Sequence, residues 1–138
     1  MADNPYQAPR AAVADQKSDA EGERLELRDI LLSMEGRIPR KVFWLYGMLP
    51  IVVGALIVAV IESVTNLKPW LSTIYNLALI WPALAITVKR WHDRDKSGWW
   101  VLLNIVPILG PIWALVENGF LRGTEGENRF GGDPTDLY

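Results

Sequence analysis

The chain has 138 residues, of which 50% are hydrophobic, and it carries a formal net charge of −2 at pH 7. It has no cysteine, which excludes a disulfide framework, a thiolate zinc site and a cysteine nucleophile. Its basic residues flank apolar runs instead of forming one patch, so nucleic acid is not expected as a partner. The length fits one domain, and the apolar residues are concentrated in its middle.

The amino-terminal residues 1–22 are polar and contain Pro5 and Pro9 but almost no large apolar side chain. Because apolar burial cannot offset the entropy of ordering such a segment, we predict a disordered tail. The first thirty residues also lack the apolar stretch of a cleavable signal peptide. The first apolar run should therefore direct membrane insertion itself, and we expect the tail to stay in the cytoplasm.

A short amphipathic helix is predicted over residues 23–35, where leucine and isoleucine alternate with charged residues. We expect this helix to lie on the cytoplasmic surface of the membrane. Three basic residues follow just before the first apolar run: Arg37, Arg40 and Lys41. Phosphate headgroups lie at this depth, so these three residues are predicted headgroup anchors.

Three runs without any Asp, Glu, Lys or Arg cover residues 42–61, 71–88 and 99–116. With a helical rise of about 1.5 Å per residue, each run roughly matches the ~30 Å hydrocarbon core of a bilayer. The pattern predicts an all-α, multi-pass membrane protein, with a three-helix transmembrane bundle after the juxtamembrane helix. The connection over residues 89–96 carries four basic residues, whereas the connection before it has only Lys68, so the positive-inside rule places residues 89–96 in the cytoplasm.

The third apolar run has polar and helix-breaking residues near its centre: Asn104, Pro107, Gly110 and Pro111. These residues free backbone groups that lipid cannot satisfy, so the run either kinks or turns back. A kinked spanning helix is the favoured prediction, and it would place the carboxyl terminus outside the cell. A re-entrant segment is the alternative, and it would return the carboxyl terminus to the cytoplasm.

Three motifs occur in order along the chain: GRIPRKVFW at residues 36–44, KRWHDRDKSGWW at residues 89–100 and GTEGENRFGGDP at residues 123–134. With these motifs the chain resembles the YhaH-like family of small bacterial inner-membrane proteins. The resemblance implies a protein of the bacterial inner membrane. It would have one membrane domain over residues 23–134, followed by a short carboxyl-terminal end at residues 135–138. The family has no established activity, so the resemblance implies no catalytic residues.

The most suggestive polar pair is His92 beside Asp93, which could relay protons or ligate a metal. A metal site is disfavoured because His92 is the only histidine and zinc needs three or four protein ligands. An ion-paired cluster that joins Arg90, His92 and Asp93 to Glu127 and Arg129 is a further possibility, provided that loop and tail share one side of the membrane. No cofactor, metal or catalytic residue is predicted.

The sequence favours a membrane interaction or assembly protein, because the predicted architecture needs nothing beyond a helical domain, a polar tail and patterned charge. Its expected partners are the lipid bilayer and either a second copy of the chain or another membrane protein. A subunit of an oligomeric small-solute or ion transporter or channel is the alternative. Against it, the apolar runs contain none of the ionisable residues that usually mark an ion path. An enzyme is not expected, since no apolar run contains a nucleophile beside a base.

Overall fold

The computed structural model describes residues 24–65 and 69–138. Over these residues the chain is helical, which confirms the all-α prediction, and β pairing is limited to an isolated bridge between Asn128 and Gly131. The predicted tail over residues 1–22 lies outside the described residues. The elements are α1 (Leu27–Leu32), α2 (Arg40–Thr65), α3 (Trp70–Asp93), a 3₁₀ helix (Gly98–Ile105), α4 (Leu109–Leu115) and a 3₁₀ turn (Thr135–Leu137). Two π-helical segments interrupt this pattern: Phe43–Met48 within α2 and Val116–Phe120 directly after α4.

Two helices of the described chain, α2 and α3, are long and apolar enough to cross a membrane. They run antiparallel and meet through few polar contacts. The Tyr75 hydroxyl donates a hydrogen bond to the Ile51 carbonyl at 2.8 Å. The Glu62 carboxylate accepts one from the Ser72 amide at 2.8 Å, which satisfies a free donor at the start of α3. Most of the remaining surface of both helices in this half of the molecule consists of exposed apolar side chains, as lipid contact requires.

The predicted amphipathic helix is shorter in the structure than in the sequence-based prediction and is confined to α1. The carboxyl end of α1 is hydrogen-bonded to α3, because the Lys89 ammonium donates to the Ile30 carbonyl at 3.1 Å and also to the Ser33 carbonyl. A cation at this position compensates the free carbonyls of a helix end. The apolar core forms between α1, the start of α2 and α3, and consists of Ile30, Ile38, Val42, Phe43 and Ile86.

The third apolar run is not one continuous helix. The 3₁₀ helix ends at Ile105, and the chain reverses at Ile108, which adopts φ +66° and ψ −60°. The Leu109 amide donates to the Pro107 carbonyl at 2.7 Å, so the reversal is a strained γ-turn. Gly110 lets the two limbs meet, since a Cβ there would collide with the Leu103 carbonyl oxygen.

The two limbs form a helical hairpin, named here the hairpin and comprising residues 98–120. Its end returns to its start, because Glu117 forms ion pairs with Arg94 and Lys96. The predicted three-helix transmembrane bundle is therefore not confirmed, and the structure has two spanning candidates plus the hairpin. The physical reason lies in the breaks noted in the sequence: Pro107 has no amide hydrogen to continue the helix, and Gly110 permits close packing of the limbs.

Candidate functional site

Charged and polar residues from several segments meet at one end of the two long helices. We call this region the polar head and define it as residues 35–41, 89–97 and 117–138. The local sequence explains the convergence, because each stretch directly precedes or follows an apolar segment and so reaches the same end of the bundle. At this end the loop after α3 and the carboxyl-terminal tail are in contact, and the Thr124 amide donates to the Asp93 carbonyl at 2.7 Å.

Asp93 is the centre of the polar head and is only 3% exposed. Arg37 lies 3.2 Å from one carboxylate oxygen, and Arg90 pairs with the other. We call these three residues the Asp93 clamp. Gly123 packs directly on the carboxylate, and any Cβ there would collide with it. Two guanidinium groups thus share one buried carboxylate, so the remaining donors of both arginines need further acceptors.

Main-chain carbonyls of the tail supply those acceptors for Arg37. Its Nη1 donates to the carbonyls of Gly126 and Gly131 at 2.7 and 2.9 Å, and its Nη2 donates to the Thr124 carbonyl at 2.7 Å. The Arg37 side chain is only 1% exposed. The prediction that Arg37 anchors a lipid headgroup is therefore corrected: this side chain folds the tail onto the loop after α3. Arg40 and Lys41 are exposed, and their role as headgroup anchors stays a prediction.

The returning end of the hairpin is held through three consecutive carbonyls of the π segment. The Asn118 carbonyl accepts from Arg90 Nε at 2.6 Å, and the Phe120 carbonyl accepts from Arg40 Nη1 at 2.8 Å. The Gly119 carbonyl between them accepts from the Trp44 indole at 3.0 Å. Cationic donors suit this position, because the end of a helix carries free carbonyls and the negative end of the helix dipole.

Glu117 is a residue of the polar head that the predicted cluster missed. Its carboxylate lies 2.6 Å from Arg94 Nε and 3.0 Å from Lys96 Nζ. Burial raises the pKa of Glu117, but the hydrogen bonds and charges of Lys96 and Arg94 outweigh this and hold the pKa below its ordinary value. The sequence signal was present, because Glu117 is the first charge after the third apolar run and the preceding loop is rich in cations.

The structure brings some residues of the predicted cluster together and keeps others apart. Loop and tail do share one end of the molecule, and Arg90 and Asp93 form an ion pair. Glu127 is exposed and takes no part in the Asp93 clamp. Arg129 pairs instead with Asp95 at 2.9 Å, where both side chains are largely exposed. The hydrogen bond from Arg129 lowers the pKa of Asp95 below its ordinary value.

His92 has a structural position rather than an open one. Its ring stacks on Phe130 with centroids 3.8 Å apart, and its Nδ1 lies 3.3 Å from the Gly36 carbonyl. Its main-chain carbonyl accepts a hydrogen bond from the Asn128 side-chain amide, Nδ2, at 2.9 Å. Within residues 24–65 and 69–138, no three His, Asp or Glu side chains are grouped so that they could hold a metal ion.

A separate cavity of about 210 Å³ lies between α2, α3 and the hairpin. Its lining is mostly apolar but includes Thr87, Asn104 and Asn118. The Asn118 side chain is fully buried, and neither its nitrogen nor its oxygen has a hydrogen-bond partner in the described chain. A buried amide without partners is costly, so this cavity suits water or a small uncharged polar molecule.

Comparison with known proteins gives the same family as the motifs. A family model described as "Protein of unknown function (DUF805)" matches residues 31–132. The chain is 41% identical over 105 residues to the inner membrane protein YhaI of Escherichia coli, covering 75% of this chain and 86% of the relative. It is 34% identical over 111 residues to the inner membrane protein YhaH of the same organism, with 75% and 88% covered.

The uncharacterized protein YiiR of Escherichia coli is 31% identical over 137 residues, with 82% of this chain and 93% of the relative covered. No solved structure matches the chain. The match covers the first two motifs, most of the third, the Asp93 clamp and the hairpin, so the resemblance to a YhaH-like family is confirmed. The chain therefore belongs to the family described as "Protein of unknown function (DUF805)" and is an inner-membrane protein.

Proposed function

We propose that this protein acts as an interaction or assembly protein of the inner membrane, with two spanning helices and a polar head on the cytoplasmic side. The observation that supports this best is the internal closure of the polar head. Three of its buried charges, Arg37, Arg90 and Asp93, are joined through the Asp93 carboxylate, and both arginines also bond to main-chain carbonyls. Charges used in this way stabilise a shape and are not themselves free to act as an acid or base, so the proposal includes no enzymatic activity.

The proposed topology rests on the contact between the two ends of the hairpin. Glu117 is bonded to Arg94 and Lys96, so residues on both sides of the third apolar run are adjacent. The four basic residues of the loop over residues 89–96 favour its cytoplasmic location. The segment before α2 and the tail after the hairpin bond to this loop, so both would lie in the cytoplasm and the hairpin would be re-entrant.

The hairpin offers the surface that we propose for a protein partner. Ile105, Ile108 and Trp99 are each more than 70% exposed, and most of the other exposed side chains of the hairpin are apolar. In a membrane such a surface is covered by lipid or by another helix, and small or irregular segments favour helix contacts. A second copy of this chain or another membrane protein would fit there, with the polar head keeping the hairpin in a fixed position.

The topology is tested with a reporter that is active on only one side of the membrane. One fusion is made after Tyr138 and a second after Leu67, and both are first checked for stable expression. We expect a cytoplasmic reporter after Tyr138 and an external one after Leu67. An external reporter after Tyr138 would contradict the re-entrant hairpin and, with it, the placement of the polar head.

The partner surface is tested by photo-crosslinking in intact cells. A photoreactive residue replaces Ile105 on the hairpin, and a control replaces Leu56, which is 62% exposed on α2. We expect a protein adduct of defined mass from position 105 and lipid adducts alone from position 56. Lipid adducts from both positions would argue against a protein partner at the hairpin. Deleting the amino-terminal residues 1–22 then distinguishes a role of that segment in partner binding from a role of the hairpin.

A transporter or channel subunit is the second candidate, favoured by the cavity beside Asn118. Purified protein in vesicles would increase the flux of a small uncharged solute, and Asn118→Leu would abolish that flux. Asn76→Leu is the matched control, because Asn76 is exposed on α3 and does not line the cavity. Under the assembly proposal we expect no flux above that of empty vesicles. A flux that Asn118→Leu abolishes and Asn76→Leu preserves would replace the assembly proposal.

A further inference from the structure

A second pocket, of about 110 Å³, opens at the surface of the polar head where α2 begins. One wall is formed by the first residues of α2 and the preceding Pro39, and the opposite wall by the tail. Its lining contains three basic side chains, those of Arg40, Lys41 and Arg122. The sequence predicts Arg40 and Lys41 as headgroup anchors, and the folding of the carboxyl-terminal tail brings Arg122 next to them.

The pocket has an excess of positive charge. Asp93 is the one carboxylate in its lining, and the two arginines of the Asp93 clamp already neutralise it. Each of the three basic residues also keeps donors free. Arg40 uses one nitrogen for the Phe120 carbonyl, and Lys41 uses one donor for the Tyr138 main-chain oxygen at 3.3 Å. Within the described residues the Arg122 side chain, which is 62% exposed, pairs with Glu125 at 2.7 Å. A guanidinium has five donors and an ammonium three, so an anion would find several partners here.

The position of the pocket relative to the apolar part of α2 indicates that its ligand is a lipid headgroup. Arg40 and Lys41 directly precede the apolar part of α2, and two exposed aromatic residues lie close to the pocket, one of which, Phe120, accepts a hydrogen bond from Arg40 through its carbonyl. Trp44 on α2 and Phe120 at the end of the hairpin are in edge-to-face contact, with ring centroids 5.8 Å apart. Exposed aromatic side chains beside basic ones are typical of the depth at which headgroups lie.

We propose that the pocket lined by Arg40, Lys41 and Arg122 binds the phosphate group of an anionic phospholipid. The two walls come from opposite ends of the family domain, so the bound phosphate would bridge the start of α2 and the tail. The site goes beyond the assembly role and does not depend on it, because a lipid can bind here whether or not the hairpin has a protein partner.

The test uses the purified full-length protein in a neutral detergent and measures its thermal midpoint during lipid titration. A ligand that binds only the folded state raises this midpoint according to its affinity. We expect phosphatidylglycerol to raise it more than phosphatidylcholine of the same chain length. Arg122→Gln and Lys41→Gln should each weaken the phosphatidylglycerol affinity about fivefold, and the double variant about 25-fold.

Two further variants separate a site from a general charge effect. Arg129→Gln is the matched control, because Arg129 is an exposed arginine of the polar head that lies outside the pocket. We expect its affinity to be unchanged. Glu125→Gln removes the carboxylate that pairs with Arg122, so the affinity should rise. A gain of affinity cannot result from misfolding, which keeps the proposal testable even if one of the loss variants is unstable.

Three results would overturn the proposal. Equal stabilisation by phosphatidylglycerol and phosphatidylcholine would remove the preference for an anionic headgroup. An affinity loss in Arg129→Gln as large as in Arg122→Gln would show diffuse attraction instead of a site. Stabilisation by sodium phosphate, measured against sodium chloride of equal ionic strength and matching that by phosphatidylglycerol, would make free phosphate the ligand. Because these measurements are made in detergent on the isolated protein, their failure is distinct from a failure of the proposed topology or partner.

Discussion

The polar head and the apolar half of the two long helices are held together in different ways. All buried residues of α3 lie in its last turns, from Ala85 to Asp93, whereas the α-helical part of α2, Leu49–Thr65, has none. In the polar head, buried arginines bond to a carboxylate and to carbonyls of distant segments. In the apolar half, the side-chain hydrogen bonds between α2 and α3 are made by Tyr75 and Glu62.

The two kinds of contact show which region of the molecule specifies the fold. Apolar helices in lipid gain little from contact with each other, since lipid tails are as apolar as their side chains. A buried charge, in contrast, is strongly unfavourable without its partner, so both arginines of the Asp93 clamp require its carboxylate. The position of the hairpin and the tail is therefore set by the polar head, while the apolar half mainly provides length and hydropathy.

Removal of the carboxylate that both arginines share should destabilise the protein most. Asp93→Asn leaves Arg37 and Arg90 buried without a counter-charge, and breaking such a pair costs about 3–5 kcal/mol. We expect a large drop in the unfolding midpoint of the detergent-solubilised protein. Asp136→Asn, at an exposed position in the same tail, is the control and should behave as the wild type. Similar midpoints for both variants would contradict the central role of the Asp93 clamp.

Two glycine substitutions compare the two regions directly. Gly123→Ala places a methyl group against the Asp93 carboxylate, which two arginines hold in place, and overpacking of this kind costs about 1–3 kcal/mol. Gly54→Ala meets the hydroxyl end of Tyr75, a side chain that can rotate away. We expect a clearly smaller loss of unfolding free energy for Gly54→Ala. A loss as large as that of Gly123→Ala would mean that the apolar half is packed as specifically as the polar head.

The acid sensitivity of the polar head provides a sharper comparison. The pKa of Glu117 is lower in the folded protein than its ordinary value of 4.5, so its ion pairs contribute full stability above that value. This contribution is lost as the pH falls through the lowered pKa. The unfolding midpoint of the wild type should therefore decrease between pH 7 and pH 3 by more than that of Glu117→Gln. Parallel pH profiles for the two proteins would exclude this contribution.

The smallest effect is expected at the exposed edge of the polar head. Arg129 and Asp95 form an ion pair, but their side chains are 66% and 43% exposed. Solvent and salt screen such a pair, so Arg129→Gln should leave the unfolding midpoint unchanged. A measurable decrease would show that the outer ion pairs stabilise the fold as the Asp93 clamp does. The same variant also serves as the control for lipid binding.

The sequence predicts the two spanning helices well, because runs without charge translate directly into helices of membrane length. The third run was ambiguous for a physical reason: Pro107 and Pro111 fit a kinked helix as well as a hairpin, and charge counting does not separate these alternatives. The deciding contact joins Glu117 to Arg94 and Lys96, and it depends on how the chain folds back. The sequence offers opposite charges on the two sides of the run, but hydrophobic periodicity does not show whether they meet.

The candidate site was predicted in part. The family motifs contain Arg90 and Asp93, and proximity along one helix makes their pairing a reasonable expectation. The sequence predicts a lipid-headgroup anchor at Arg37, because a basic residue before an apolar run usually lies at the depth of the headgroups. The structure buries it against Asp93 and the tail, and nothing in the sequence distinguishes Arg37 from Arg40, which stays exposed. Side-chain partners from distant segments decide the difference.

The attachment of the hairpin at Asn118, Gly119 and Phe120 also determines how deep it reaches. From these carbonyls back to Leu109 the chain rises roughly 15 Å, which is about half of the ~30 Å hydrocarbon core. In the proposed topology the hairpin turns near the bilayer midplane. Each molecule would then fill more area in the cytoplasmic leaflet than in the outer one, where two helices alone cross the lipid.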